Sequence, residues 1–439
     1  TTASIKQAAS QVAEDLLTFY HGDEPGNVPG ILPGPPPDGP YYWWIGGALW
    51  GTLLDYRLYT GDTKYDDIIM EAMTHQVGDD KDFMPLNWTA SMGNDDQAFW
   101  AFAALIAVES RFTNPPEDSG LDWLALAQAV FNEQTLPERR VATENCKDGL
   151  RWQVFSFNTG WDYVNTIANA AYFNIGARLA RYTDNGTYAE VAGDTWDWLT
   201  SHGYIDDQGN VYDGAHEPKD CRDINQFQFS YNAAVLIQGA AFLYNMTEGS
   251  AQELWKSRID LLLNRTLTAF FPNGTAVEFD CERGKSCTVD MKSFKGYLHR
   301  WLASTTILAT YTAPKILPVL RTSTEAAVAQ CTGGNNQRQC GFRWETGVFD
   351  PDGFDQAGAV QQMDVLGALL SLLVTPDAVP VTNSTGGTSK GDSGAGSSLP
   401  QRTQYRDITA ADRAGAAILT VVLLISVAVV FGWMSFWRD

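Results

Sequence analysis

The sequence predicts an all-α protein, an (α/α)6 toroid of six helical hairpins, with a tethering tail behind it. Three observations carry this expectation. Apolar periodicity marks twelve helical segments before residue 375. One member of each consecutive pair is apolar around most of its circumference, as in Ala98 to Val108 and Ala233 to Leu243, while its partner is amphipathic and charged. A turn recurs between the two members: Leu58-Tyr59-Thr60-Gly61-Asp62, Arg181-Tyr182-Thr183-Asp184-Asn185-Gly186 and Leu243-Tyr244-Asn245-Met246-Thr247-Glu248-Gly249.

In order, the helices are expected near 3–20, 41–59, 64–76, 94–110, 119–133, 162–181, 187–202, 229–245, 250–268, 292–310, 314–330 and 357–373. Helices apolar on all sides must be covered on all sides. An inner ring sheathed by an outer ring does this, and an open helical solenoid is the alternative. Only short runs such as Val277 to Phe279 look strand-like. The catalytic domain is thus expected over 1–375.

From 376 to 415 the composition turns to Gly, Ser, Thr and Asp, which reads as a linker because too little apolar surface is available to offset ordering entropy. Residues 416–439 then form an apolar tail, uncharged from Ala416 to Trp437. That run is long enough to span a hydrocarbon core of roughly 30 Å as a helix. Two readings stay open: a permanent span, or the discarded end of a GPI-anchor signal, with Gly394 to Ser398 supplying small residues for attachment. The chain opens on Thr1-Thr2-Ala3-Ser4 without a leader, which is expected to have been removed from this numbering.

The 439 residues carry a formal net charge of -22, which argues against nucleic acid as a partner and fits a neutral substrate. Six cysteines form no CxxC pair, so disulfides are expected rather than a zinc or redox centre. Cys281 with Cys287 and Cys331 with Cys340 each close a short local loop, leaving Cys146 with Cys221. Six Asn-x-Thr sequons, at Asn87, Asn185, Asn245, Asn264, Asn273 and Asn383, point to the secretory route and an extracellular or cell-surface location.

The strongest chemical signal is Ser91-Met92-Gly93-Asn94-Asp95-Asp96-Gln97, a polar loop that opens an apolar helix. A carboxylate at a helix N-terminus is favoured in its ionised form. A second carboxyl beside it meets a like charge and is pushed toward its acid form. Asp95 and Asp96 can therefore supply one base or nucleophile and one acid. Neighbouring Cα atoms lie about 3.8 Å apart. Their carboxyls can approach the roughly 5 Å separation of a retaining glycosidase, which predicts retention. The competing reading is a simple helix cap. Aromatic residues at the starts of inner helices, Tyr42-Trp43-Trp44 and Trp161, fit rings that stack on sugar faces, or alternatively core packing. The five histidines show no metal-ligand spacing, and neither a phosphate loop nor a dinucleotide fingerprint is present, so no metal or cofactor is called for.

These residues resemble glycoside hydrolase family 76, the endo-α-1,6-mannanase family, and more closely its fungal cell-wall branch. The resemblance covers about Ser4 to Leu373 and rests on six signatures in order. They are Tyr42-Trp43-Trp44-Ile45-Gly46-Gly47, Asn94-Asp95-Asp96-Gln97, Asn165-Thr166-Ile167-Ala168-Asn169, Val211-Tyr212-Asp213-Gly214, Ser230-Tyr231-Asn232 and Phe294-Lys295-Gly296-Tyr297. It implies an (α/α)6 barrel, Asp95 as nucleophile and Asp96 as acid/base. It also implies substrate contacts at Asn94, Gln97, Asn165, Asn169, Asp213, Tyr231, Asn232, Lys295 and Arg300. Members of the fungal branch are GPI-anchored and join GPI-linked proteins to wall glucan. Bacterial members carry a Lys where this chain has Val164. The resemblance implies an enzyme whose donor is a mannose-containing glycan, the GPI core or α-1,6-mannan; a monomer is expected. The acceptor is glucan in transfer or water in mannan hydrolysis. A non-catalytic glycan-binding surface protein is the reading of another class.

Overall fold

In the computed structural model the described residues are 1–89, 91–349, 358–397 and 410–436. The chain divides into two compact units, Thr1–Ser398 and Leu399–Asp439.

In the first unit six inner helices close a ring. They are α2 (Trp44–Thr60), α4 (Asn94–Glu109), α6 (Thr166–Thr183), α8 (Ser230–Met246), α10 (Phe294–Leu308) and α12 (Ala359–Ser371). Each packs on the next, and α12 packs back on α2, which excludes the open solenoid. Outside them lie α1 (Thr2–Leu17), α3 (Asp66–His75), α5 (Trp123–Thr135), α7 (Gly186–Ser201), α9 (Gly249–Phe270) and α11 (Ala313–Ala329). The twelve expected helices are all present, with ends shifted by at most four residues.

Sequence explains the two layers. The inner α4 buries thirteen residues around its whole circumference, and α9 buries one stripe from Trp255 to Phe270. Close approach within the ring needs small residues. A Cβ on Gly47 would stand 2.8 Å from the backbone nitrogen of Trp100, so α2 meets α4 only because that position is glycine. Two of the recurring turns end on left-handed residues, Gly61 (φ 77°) after α2 and Asp184 (φ 55°) after α6, which stop each inner helix and reverse the chain.

Three features differ from the expectation. The run Val277 to Phe279 is not a strand. Instead β1 (Tyr163–Asn165) pairs antiparallel with β2 (Gly214–His216), taking the first residues assigned to the sixth helix. The third concerns the Gly/Ser/Thr-rich segment, whose described part docks on the toroid. Val381 N–H donates to Glu109 O, Asn383 N–H to Tyr182 O, and Lys390 and Gly391 N–H to the Asp122 carboxylate. Asp392 N–H donates to Gln128, and Asn132 donates to the carbonyls of Ser393 and Ala395. Low apolar content removes the capacity to build a core. It does not remove backbone donors and acceptors, and these hold the strap to α4, α5 and α6. Of the rest of the expected linker, 398–409 lie outside the described residues and 410–415 belong to a helix that continues into the apolar tail.

Disulfides join Cys146 to Cys221, Cys281 to Cys287 and Cys331 to Cys340, the three expected pairs. In the second unit α13 (Ala410–Phe436) covers most of the apolar tail. Its described side chains, within 417–431, are exposed. Among the described residues no helix is long and apolar enough to cross a membrane.

Candidate active site

The inner helices all begin at one end of the ring, and their N-termini surround Asp95 and Asp96. The chain turns into α4 at Gly93, whose N–H donates to Asp96 Oδ2 at 2.7 Å. Asp96 N–H in turn donates to Asp95 Oδ1 at 3.0 Å. Asn165, the N-cap of α6, accepts from Ala168 N–H and donates to Asp95 Oδ2 at 3.3 Å. The Trp152 side chain also donates to Asp95. Asp95 is buried and Asp96 half-buried.

Burial acts on both acids. Burial pushes the Asp95 carboxyl up to about 7, against the lowering effect of Asn165, the backbone N–H groups and Trp152. Burial also holds the Asp96 carboxyl well above the usual carboxylate range, and the neighbouring Asp95 charge raises it further. Both carboxyls are thus held toward their protonated forms by burial, and the charge of Asp95 raises Asp96 further. Desolvation outweighs the helix cap, so Asp95 ionises less readily than a cap alone would allow.

Around the pair stand several expected contacts. Trp44 is buried against Phe99 and Tyr297, and its side chain donates to Asp290. Tyr231 is half-buried and stacks on Phe294 with ring centroids 3.7 Å apart. Burial and the charges of Asp213, Asp95, Asp290 and Glu278 hold its hydroxyl well above the usual phenol range. Asp213 accepts from the Tyr163 hydroxyl at 2.7 Å and from Asn225. Trp161 lies 3.6 Å beneath the Arg151 guanidinium, and Tyr42 is 40% exposed at the lead-in to α2. Asn232 is fully buried and neither end of its amide has a protein partner.

Six expected contacts are placed otherwise. Asn94 is buried beneath the pair, donating to Arg151 O and accepting from Arg139. Gln97 donates to Glu133, and Trp43 donates to Gln76. Asn169 spans the Leu150 backbone through both ends of its amide. Lys295 is wholly buried and paired with Glu282. These five have their polar atoms committed to protein and support the site from behind. Arg300 lies at the opposite end of the ring, bound to Asp55 and Thr52. There it lines a cavity of about 40 Å³ with Glu109 and Arg178, edged by Ala378 and Pro380 of the strap.

The structure adds three groups that pattern reading did not single out. Trp152 reaches Asp95 from the lead-in to α6. Glu278 is buried, accepts from Ser230 N–H at the start of α8, and is pushed up to about 7 by burial. Asp290, just before α10, is pushed up to about 6 by burial, and its Oδ1 is buried without a partner. Its charge acts on Asp96. Only its place shortly before Phe294-Lys295-Gly296-Tyr297 could have drawn attention to it. Among the described residues no group of three His, Cys, Asp or Glu is arranged to hold a metal ion.

A neighbouring acid pair, walled by aromatic rings at the mouth of a helical ring, is the arrangement of a glycosidase. Comparison with known proteins decides the family, because the sequence model of Glycosyl hydrolase family 76 matches residues 4–384. The chain belongs to glycosyl hydrolase family 76. Among curated relatives, "Mannan endo-1,6-alpha-mannosidase DCW1" of Saccharomyces cerevisiae is 39% identical, covering 99% of this chain and 93% of its own. A "Putative mannan endo-1,6-alpha-mannosidase" of Schizosaccharomyces pombe is 40% identical, covering 90% of this chain and 86% of its own. The crystal structure of Dfg5 from Chaetomium thermophilum in complex with glucosamine is 50% identical. It superposes with a TM-score of 0.87 over 92% of this chain and 98% of its own. An α-1,6-mannanase of Salegentibacter sp., at 15% identity and TM-score 0.64 over 84% of this chain and 100% of its own, shares the fold. The family 76 chain is thus a glycoside-hydrolase-like enzyme with the (α/α)6 architecture.

Proposed function

We propose that the protein is a retaining, α-mannoside-active transglycosylase of the fungal cell surface, taking the GPI-core mannose as donor and wall glucan as acceptor. The observation that carries the reading is the placement of two neighbouring acids on one helix turn, one buried and one half-buried, with the ionised forms of both disfavoured by burial. Asp95 attacks the anomeric carbon as a carboxylate and forms a glycosyl ester. Asp96 gives its proton to the departing glycosidic oxygen. Asp96, now a carboxylate, takes the proton of the acceptor hydroxyl, and that oxygen displaces Asp95 to form the new glycosidic bond. The Asp290 Oδ1 and the Asn232 amide are buried without protein partners, so a sugar hydroxyl reaches them only if the wall in front of them opens.

The naming of several relatives as mannan endo-1,6-alpha-mannosidases favours a second reading, in which water replaces the acceptor. The complex of the Chaetomium relative with glucosamine supports a sugar ligand for this fold. Localisation belongs to the proposal too: export through the secretory route and retention by a GPI anchor or a C-terminal span. The exposure of all six sequon asparagines supports it. Product analysis with a mannosyl donor, with and without a glucan oligosaccharide, tests the reading. Transfer predicts a new mannosyl-glucan product, and release of free sugar alone contradicts it.

A further inference from the structure

Asp95 and Asp96 are neighbours in sequence, yet different groups hold them. Asp96 accepts from one backbone donor, Gly93 N–H at 2.7 Å, and from no side chain. Asp95 accepts from the backbone and from two side chains, Asn165 at 3.3 Å and Trp152. Both side-chain donors are uncharged, so no cation competes with an incoming anomeric carbon for the carboxylate. Asn165 is also committed elsewhere, because its Oδ1 caps α6 by accepting from Ala168 N–H. The Trp152 indole has no second duty of that kind. An indole N–H is a donor only. It favours Asp95 as a carboxylate and cannot take a proton from either acid.

The chain around Trp152 is built to keep that donor in place. Trp152 O accepts from Asn94 N–H at 2.7 Å, and Trp152 N–H donates to Tyr163 O at 2.8 Å. Gly93 and Gln153 form an antiparallel bridge one residue further on. The lead-in to α6 is therefore stitched to the first turn of α4, which fixes the indole relative to Asp95. The ring itself is held between two residues. Tyr163 meets it edge-on, with centroids 6.3 Å apart and planes at 79°. Behind it lies Gly160, with φ 91°, where a Cβ would stand 2.5 Å from the Trp152 ring. Glycine at that position leaves the ring its place against the acid.

We propose that Trp152 is the positioning residue of the nucleophile: its indole N–H, seated by Gly160 and clamped through Asn94, aims the Asp95 carboxylate and gives Asp95 rather than Asp96 the attack on the sugar. This rests on the reading of Asp95 as nucleophile and adds what makes it one. Other titratable groups bear on the pair from the elements around it: Tyr231 at the start of α8 on Asp95, and Asp290 before α10 on Asp96. A change at Trp152 leaves both in place. Losing a hydrogen bond to a charged form raises the pKa of an acid, so the missing donor is felt where Asp95 is only partly ionised.

The test follows the rate at which an activated 2-fluoro-mannosyl donor labels Asp95, from about pH 5 to about pH 9, in the whole chain kept in detergent. Trp152→Phe keeps a flat ring and loses the N–H, whereas Gly160→Ala keeps the indole and pushes it from its seat. In both, the rising limb is expected to move up by about one pH unit, so that labelling slows about tenfold below the limb and approaches the parent rate above it. Donor KM and melting temperature of Trp152→Phe are expected to stay at parent values. Benzothienylalanine at position 152, with sulfur in place of the N–H, preserves the shape of the side chain and is expected to give the same shift. Slowing by one factor at every pH, or a raised KM with an unmoved limb, marks a ring that only packs or stacks on sugar and overturns the proposal. An unmoved limb beside a parent labelled at Asp95 leaves the nucleophile reading intact, whereas a parent that takes no label on Asp95 removes both.

Discussion

The two ends of the ring solve opposite problems with the same helices. At the mouth, acids gather without neutralising cations. Asp95, Asp96 and Asp290 are all pushed toward their protonated forms, and Asp290 and Asn232 leave polar atoms unpartnered. At the far end every acid facing the small cavity has a cation. Arg300 holds Asp55 at 2.7 Å and Arg178 holds Glu109 with two hydrogen bonds, while the strap adds Val381 N–H to Glu109 O. The difference teaches that charge unsatisfied by the protein is kept where substrate can satisfy it. The opposite end is closed for stability.

The sharpest way to break that contrast is to neutralise one group at each end. Asp95→Asn removes the nucleophile, and turnover is expected to fall by about 10³-fold or more while the fold persists; steady-state kinetics beside circular dichroism checks both. Glu109→Ala at the far end leaves the buried Arg178 uncompensated. It is expected to destabilise by ~3–5 kcal/mol, read by chemical denaturation, with activity per folded molecule unchanged.

Stability at the mouth should move the other way with pH. Asp95 ionises near its ordinary value of 3.8 when unfolded and at about 7 when folded. Below both values it contributes nothing; as pH rises between them the unfolded chain ionises first, and native stability is lost until about pH 7. Asp95→Asn is therefore expected to melt a few degrees higher than the parent at about pH 7 and equally at about pH 4. Parent activity should rise with pH through about 7 as Asp95 ionises, then fall as Asp96 loses its proton, two values that belong to the pair. A pH–rate profile with its rising limb far below 7 would break the assignment.

The smallest expected effect tests the strap. Gly391 has φ 72°, and a Cβ there would lie 2.5 Å from Gln128 Oε1. Gly391→Val is expected to cost about 1–3 kcal/mol of stability, measured by thermal unfolding, without changing kcat. A neutral result would show that this segment hangs free.

What the sequence made legible follows local physics. Helix periodicity, the alternation of wholly apolar with amphipathic helices and the short Cys spacings depend on near neighbours, and twelve helices and three disulfides agree with the structure. Asp95 and Asp96 were visible because a cap sits at a chain position. Depth and direction were not. Arg300 stands six residues beyond the start of α10, roughly 9 Å down the ring axis, so its motif lies at the mouth while its guanidinium faces the other end. Asn165 and Asn169 share a helix face, yet one turn separates a contact to Asp95 from a clamp on Leu150. The strap escaped notice because its glycines are chosen to fit α5 and α6, a complementarity composition does not record. Asp290 lay in a loop without periodicity.

The account turns on Asp95 forming a bond to sugar, and a trapping experiment reads this most directly. The whole chain would be incubated with a 2-fluoro-mannosyl donor bearing an activated leaving group, then digested and analysed by mass spectrometry. One fluorosugar ester is expected on Asp95, absent from Asp95→Asn and slow to form in Asp96→Asn. A label on any other residue, or turnover with inversion and no label, would contradict it.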